Sequence, residues 1–241
     1  MKALLPILAL SAATASAEIP IVESFDDAET PLGFEFVDIN EKASGTGSTF
    51  GTGPGLNIAD GKLVFYDNTN FGDVGVARIV LEGFGQLGFE MEAAFDVASI
   101  NFTQSKLGLF ALAQGPASYD QNFIGLYAYV EELDTSGNSF RFVLGTGKDG
   151  SFEELDVTNE FDLTDGTPDF SIKLTAERDG DDVTVMARLI ENEQDIVAPL
   201  TAELAAGDLP PGNQFGIRFN PGFNTLEVAV DDLYIGRSRE D

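Results

Sequence analysis

Two stretches of this chain are apolar or aromatic at odd and even positions alike: residues 106–114 (Lys-Leu-Gly-Leu-Phe-Ala-Leu-Ala-Gln) and residues 123–130 (Phe-Ile-Gly-Leu-Tyr-Ala-Tyr-Val). An extended chain sends alternate side chains to opposite faces of a sheet. A run with no wet parity is therefore covered on both faces, which places these two strands in the interior of a sheet. Residues 140–144 supply a third strand, with Phe140, Phe142 and Leu144 on one face and Arg141 and Val143 on the other. The polar turn Thr135-Ser136-Gly137-Asn138 precedes it, and consecutive hairpins make the three strands neighbours.

The rest of the chain repeats this theme with one wet face. Phe89, Met91, Ala93, Phe95 and Val97 alternate with Glu90, Glu92, Ala94 and Asp96. Ile172, Leu174, Ala176 and then Val183, Val185, Ala187, Leu189 form two alternating runs joined at Asp179-Gly180-Asp181, a strong hairpin signal. Shorter candidates fall at residues 21–26, 33–38, 62–66 and 74–81, and a Gly/Thr/Ser-rich loop at 44–55. In the last strand Leu226, Val228 and Val230 share a parity that Leu233 and Ile235 break. One extra residue at Asp231-Asp232 restores the alternation, so a β-bulge is expected there. Helical periodicity is nearly absent; a turn or two at 201–206, capped by Thr201 and stopped by Gly207, is the one helix expected. The fold class is all-β: a single antiparallel two-sheet sandwich over residues 18–241, with one short helix at most.

Residues 1–17 read as a bacterial-type secretory leader: Met-Lys, an apolar run, then Ala15-Ser16-Ala17 as a cleavage site before Glu18. The expected location is secreted or periplasmic. No other apolar run is long enough to span a bilayer, so no membrane insertion is expected. The chain has no cysteine, which removes disulfides and a lipid anchor. Its formal net charge of −28 at pH 7 argues against nucleic acid or an anionic membrane as partner, since phosphate binding needs clustered Lys and Arg.

Chemistry is equally bounded. With no histidine and no cysteine, Ser-His-Asp and Cys-His triads and imidazole zinc sites are impossible. Carboxylates remain as catalytic groups, and one further constellation points to recognition. If Leu107, Leu109 and Ala111 pack inward with Ile124, Leu126, Ala128, Phe140 and Phe142, the opposite face presents Lys106, Phe110, Tyr127, Tyr129 and Arg141. Aromatic rings stack on sugar C–H surfaces and cations donate to hydroxyls, so these five residues are the candidate ligand site. The alternative is that this face is covered and the tyrosines merely pack.

The hairpin "IKLTAERDGDDVTVMARL" (172–189) and the terminal "LEVAVDDLYIG" (226–236) resemble the closing portion of the concanavalin A-like lectin/glucanase jelly rolls, a superfamily that includes laminin-G-like domains. The resemblance implies a jelly-roll sandwich with glycans bound on or beside one sheet. It also implies a structural calcium near the terminal strands, for which Asp26, Asp27, Asp231 and Asp232 are the matching carboxylates. Retaining glucanases of this superfamily carry a strand-borne Glu-x-Asp-x-Glu. The nearest match is Glu154, Asp156 and Glu160, whose last spacing is too long. The expected function is a secreted, non-catalytic carbohydrate- or surface-binding module. A structural or protein-interaction protein of the envelope or matrix is the alternative, and a carboxylate glycoside hydrolase is a third.

Overall fold

The structure is a computed structural model that describes residues 20–26, 33–40, 47–48, 55–67, 73–84, 88–101, 105–114, 124–133, 139–148, 151–163, 169–220 and 225–238. The leader, Asp27, Phe123, most of the 44–55 loop and the 135–138 turn lie outside these residues. In chain order the strands begin with β1 (Ile21–Glu23), β2 (Phe34–Asn40), β3 (Gly47–Ser48), β4 (Gly55–Ala59), β5 (Lys62–Asp67) and β6 (Asp73–Val80). They continue with β7 (Phe89–Asn101), β8 (Lys106–Gln114), β9 (Ile124–Glu132), β10 (Phe140–Lys148), β11 (Ser151–Val157) and β12 (Asp169–Asp179). The last are β13 (Asp182–Glu191), β14 (Gln194–Asp195), β15 (Leu200–Ala205), β16 (Gln214–Asn220) and β17 (Thr225–Gly236).

Among the described residues these strands form two sheets. One runs β11-β10-β9-β8-β16-β6-β2-β3. The other runs β14-β13-β12-β7-β17-β5-β4, with β1 added to β17 and β15 to β13. All the pairings are antiparallel. The doubly apolar strands β8 and β9 are interior and adjacent, as their sequence requires, and β10 is the neighbour of β9.

Side-chain alternation then builds the core between the sheets. Leu107, Leu109, Ala111, Leu126, Ala128, Val130, Phe140, Phe142 and Leu144 face Met91, Phe95, Ile172, Leu174, Val183, Val185, Val228 and Leu233 in one buried cluster. Burial of this apolar surface is the main favourable term available to a chain without disulfides. The bulge expected in β17 is present: Val230 pairs with Phe95 and Leu233 with Ala93, so three steps on one strand match two on the other. Asp231 and Asp232 are consequently exposed while Val230 and Leu233 both stay buried.

The helix expected at 201–206 is a correction. Those residues belong to β15 and pair with β13, Met186 opposite Thr201 and Thr184 opposite Glu203. Leu200 is buried and Thr201, Glu203 and Ala205 are exposed, a period of two rather than 3.6. Pairing with a buried neighbour overrides the helix propensity of Glu, Leu and Ala, and helical geometry is confined to a 3-10 turn at Ala206–Asp208.

Candidate functional site

Register assembles the candidate site. Tyr127 stands opposite Phe110 on β8 and Gly145 on β10, Tyr129 opposite Gly108 and Val143, and Glu131 opposite Lys106 and Arg141. Directly opposed residues share a face, so Lys106, Phe110, Tyr127, Tyr129 and Arg141 lie together on the face turned away from the core. Val74, Val76 and Val143 join the three aromatic rings in a second apolar cluster there.

Two residues absent from the sequence reading organise this face. Glu131, 7 % exposed, receives both cations: Lys106 Nζ lies 2.9 Å from its Oε1, and Arg141 Nε donates to its Oε2 at 2.7 Å. Arg141 Nη2 also reaches Glu154 Oε1 at 2.9 Å. Burial pulls the Arg141 guanidinium downward, but the hydrogen bond and charge of Glu131, with Glu154 beside it, carry its pKa above the ordinary value. Lys106 Nζ sits 5.3 Å from the centre of the Tyr129 ring, a cation–π contact that fixes the ammonium.

The second residue is Phe152 on β11. Its ring centre is 6.4 Å from that of Tyr127 and 6.0 Å from that of Tyr129. It lies directly on Gly145, where a Cβ would collide with the ring. Gly145 is thus needed for close approach rather than for its dihedral freedom.

These contacts set which residues of the face are open. Tyr127 is 3 % and Phe110 0 % exposed, whereas Phe152 is 42 % exposed and Val157, opposite Val143, 38 %. The tyrosines back the site, and the reachable strip is Phe152, Glu154, Arg141 and Val157. Burial also pushes the Tyr127 hydroxyl well above its ordinary pKa, with the charge of Arg218 only partly opposing it. A raised folded-state pKa keeps its stabilisation below the unfolded value and loses it above. We therefore expect stability to fall by about 1.4 kcal/mol per pH unit above about pH 10 from this group. Chemical denaturation of the wild type and Tyr127→Phe between pH 9 and 11 checks this; parallel alkaline losses in the two proteins would refute it.

The carboxylates of the glucanase-like motif are dispersed. Leu144 pairs with Asp156 but Gly145 with Glu154, so Leu155 is a bulged extra residue. The bulge sends Glu154 to Arg141 on the outer face, while Asp156 accepts from the Thr201 amide of the other sheet at 3.0 Å. Glu160 lies beyond the strand and accepts the Ser139 hydroxyl. A pair of carboxylates flanking one glycosidic bond has to share a cleft; Glu154 and Asp156 leave on opposite sides.

Two of the proposed calcium ligands, Asp26 and Asp231, lie near the adjacent residues Gly61 and Lys62. A Cβ on Gly61 would come within 3.4 Å of Asp26 Oδ1, and Lys62 Nζ lies 3.1 Å from Asp96 and 4.0 Å from Asp231. The hydrogen bond to Asp96 raises the Lys62 pKa against a smaller desolvation effect, with the charges of Asp96, Asp231 and Asp169 adding to it. Among the described residues no group of three or more Asp or Glu converges as a metal site. Asp26, Asp231 and Asp232 therefore do not fit a calcium cage by themselves.

No protein-family model and no curated protein sequence matches the chain. Solved structures do match it. The carbohydrate recognition domain of Emp47p aligns at TM-score 0.60 and 12% identity, covering 90% of this chain and 95% of that one. The exoplasmic/lumenal domain of VIP36 in its Ca2+/Man2-bound form aligns at TM-score 0.58 and 16% identity, over 92% and 88% of the two chains. The Lotus tetragonolobus seed lectin aligns at TM-score 0.58 and 11% identity, over 92% of this chain and 100% of its own. Together with the two antiparallel sheets, these alignments show that the chain has the concanavalin A-like lectin fold.

Proposed function

We propose that this protein is a secreted, non-catalytic module that binds a carbohydrate on the outer face of β10 and β11. The observation that carries the reading is the half-exposed Phe152 ring, backed by two buried tyrosines and bordered by the Arg141–Glu154 pair. A rigid aromatic face suits the C–H side of a pyranose, and an ion pair beside it offers both donors and acceptors to hydroxyls. The fold neighbours support it: one is a carbohydrate recognition domain and another is the Ca2+/Man2-bound form of VIP36. Secretion rests on the leader-like residues 1–17, and among the described residues no helix is long and apolar enough to cross a membrane.

A glycan array of the mature protein tests this reading. Saturable binding should be abolished by Phe152→Ala and weakened at least about tenfold by Arg141→Ala, the range expected when a stacking or charged anchor is removed. A blank array would move the protein to the envelope or matrix structural class, and saturable binding untouched by both variants would place the glycan elsewhere on the protein.

Calcium is not built into this reading. Lys62 already pairs with Asp96 and stands 4.0 Å from Asp231, so melting in EGTA and in calcium at matched ionic strength should give the same midpoint. A calcium-dependent rise would instead place a cation among Asp26, Asp27, Asp231 and Asp232.

A further inference from the structure

The charges of the reachable strip and of the ion pairs that back it cancel. Lys106 and Arg141 supply two positive groups, Glu131 and Glu154 two negative ones, and all four belong to one connected set of ion pairs. Farther along the same sheet Arg78 is already held by Glu35 at 2.8 Å, and Arg218 is 6 % exposed, out of a ligand's reach. Glu131 is locked between its two cations, so its charge cannot be moved aside. Glu154 is different: its side chain is 38% exposed, it stands on the edge strand, and its carboxylate contacts the same Arg141 Nη2 that Glu131 holds. A ligand reaching Arg141 meets Glu154 at the same time.

From this geometry we propose that the ligand is a neutral glycan and that Glu154 is the specificity-determining residue that excludes uronate and sulfated sugars. The inference rests on the carbohydrate reading above. A hydroxyl of a neutral sugar can accept from Arg141 and donate to Glu154, leaving their ion pair intact. A sugar carboxylate at the same place adds a third anion to a guanidinium already shared by two. Either it displaces Glu154 or it lies against it, and like-charge juxtaposition of this kind costs affinity on the order of 10- to 100-fold. The net charge of −28 adds a long-range penalty of the same sign, which salt screens, whereas the contact with Glu154 is screened far less. The two contributions are therefore separable by ionic strength.

The test is titration of the wild type and Glu154→Gln with neutral gluco-, manno- and xylo-oligosaccharides and with oligogalacturonate and sulfated oligosaccharides of matched length, at low and high salt. The wild type should bind at least one neutral ligand and reject the anionic ones. Glu154→Gln should raise the anionic-to-neutral affinity ratio on the order of tenfold or more and show that rise at high salt too. Glu154→Ser serves as a second variant should Gln keep contacting Arg141 as Glu does, and equal melting midpoints establish that each variant is folded. Wild-type binding of uronate as tight as neutral sugar would overturn the inference while leaving the carbohydrate reading standing. So would an unchanged anionic-to-neutral ratio in both variants. Binding to neither class would fell the carbohydrate reading itself, and this inference with it.

Discussion

Phe219→Ala should lower the stability of the protein by about 3–5 kcal/mol and its melting midpoint by roughly 10 °C. Phe219 is fully buried and is one of the rings through which the two sheets meet. On one side it stacks on Phe65 of β5, 5.2 Å away and 4° from parallel. On the other it meets Phe95 of β7 edge-on at 6.5 Å, and Phe95 continues to Phe170 of β12 at 5.7 Å. The stack depends on Gly75, which stands opposite Phe219 on β6. A Cβ there would lie 2.5 Å from the Phe65 ring. Truncating Phe219 removes one member from each of these contacts and leaves a cavity that rigid strands cannot close. Urea titration measures the loss, and Phe219→Leu should recover most of it. A loss under about 1 kcal/mol would mean the ring is not packed between the sheets.

Glu131→Ala is the second large effect, about 2–3 kcal/mol, at or below the lower end of what removing one member of a buried ion pair costs. The reduction reflects the partial exposure of Lys106 and Arg141 and the second partner that Arg141 keeps in Glu154. Without Glu131 two cations sit on an apolar face beside Tyr129 and Val143, with water reaching each from one side. The diagnostic comparison is the double variant Lys106→Met with Glu131→Leu. Replacing Lys106 together with Glu131 by apolar groups should cost less than Glu131→Ala alone, because the one cation that then loses Glu131 is Arg141, which keeps Glu154. A double variant that loses the sum of the single effects would show that the pair stabilises through packing and not through charge.

The parts of the fold that were legible in the sequence are those where one strand carries its own evidence. β8 and β9 announce themselves because neither parity is polar, and the β17 bulge because Leu233 falls out of phase with Val230. What depends on pairing partners was not legible. β15 resembles a capped helix turn, and its identity as a strand comes from β13. β16 lies between β8 and β6, far from either in sequence, so its place follows from tertiary packing alone.

The candidate site divides the same way. Parity put Tyr127, Tyr129, Lys106, Phe110 and Arg141 on one face. Glu131 shares that parity and is the lone carboxylate among residues 123–131, a signal that could have been used. The alternative in which the tyrosines merely pack was legible, but the ring that packs on Tyr127, Phe152, was not, because it sits in an acidic run with little alternation. The Leu155 bulge, which separates Glu154 from Asp156, leaves no mark in a strand with so little alternation.

Hydrogen exchange of the backbone amides, with and without a saturating oligosaccharide, tests the location of the site most directly. The account predicts slowed exchange in β10 and β11, around Arg141, Phe152 and Glu154, and no change in the β12–β13 hairpin. Protection confined to the groove of about 720 Å³ lined by Phe84, Leu112, Arg178, Pro211 and Asn213 would contradict it, placing the ligand at the end of the sandwich instead of on its face.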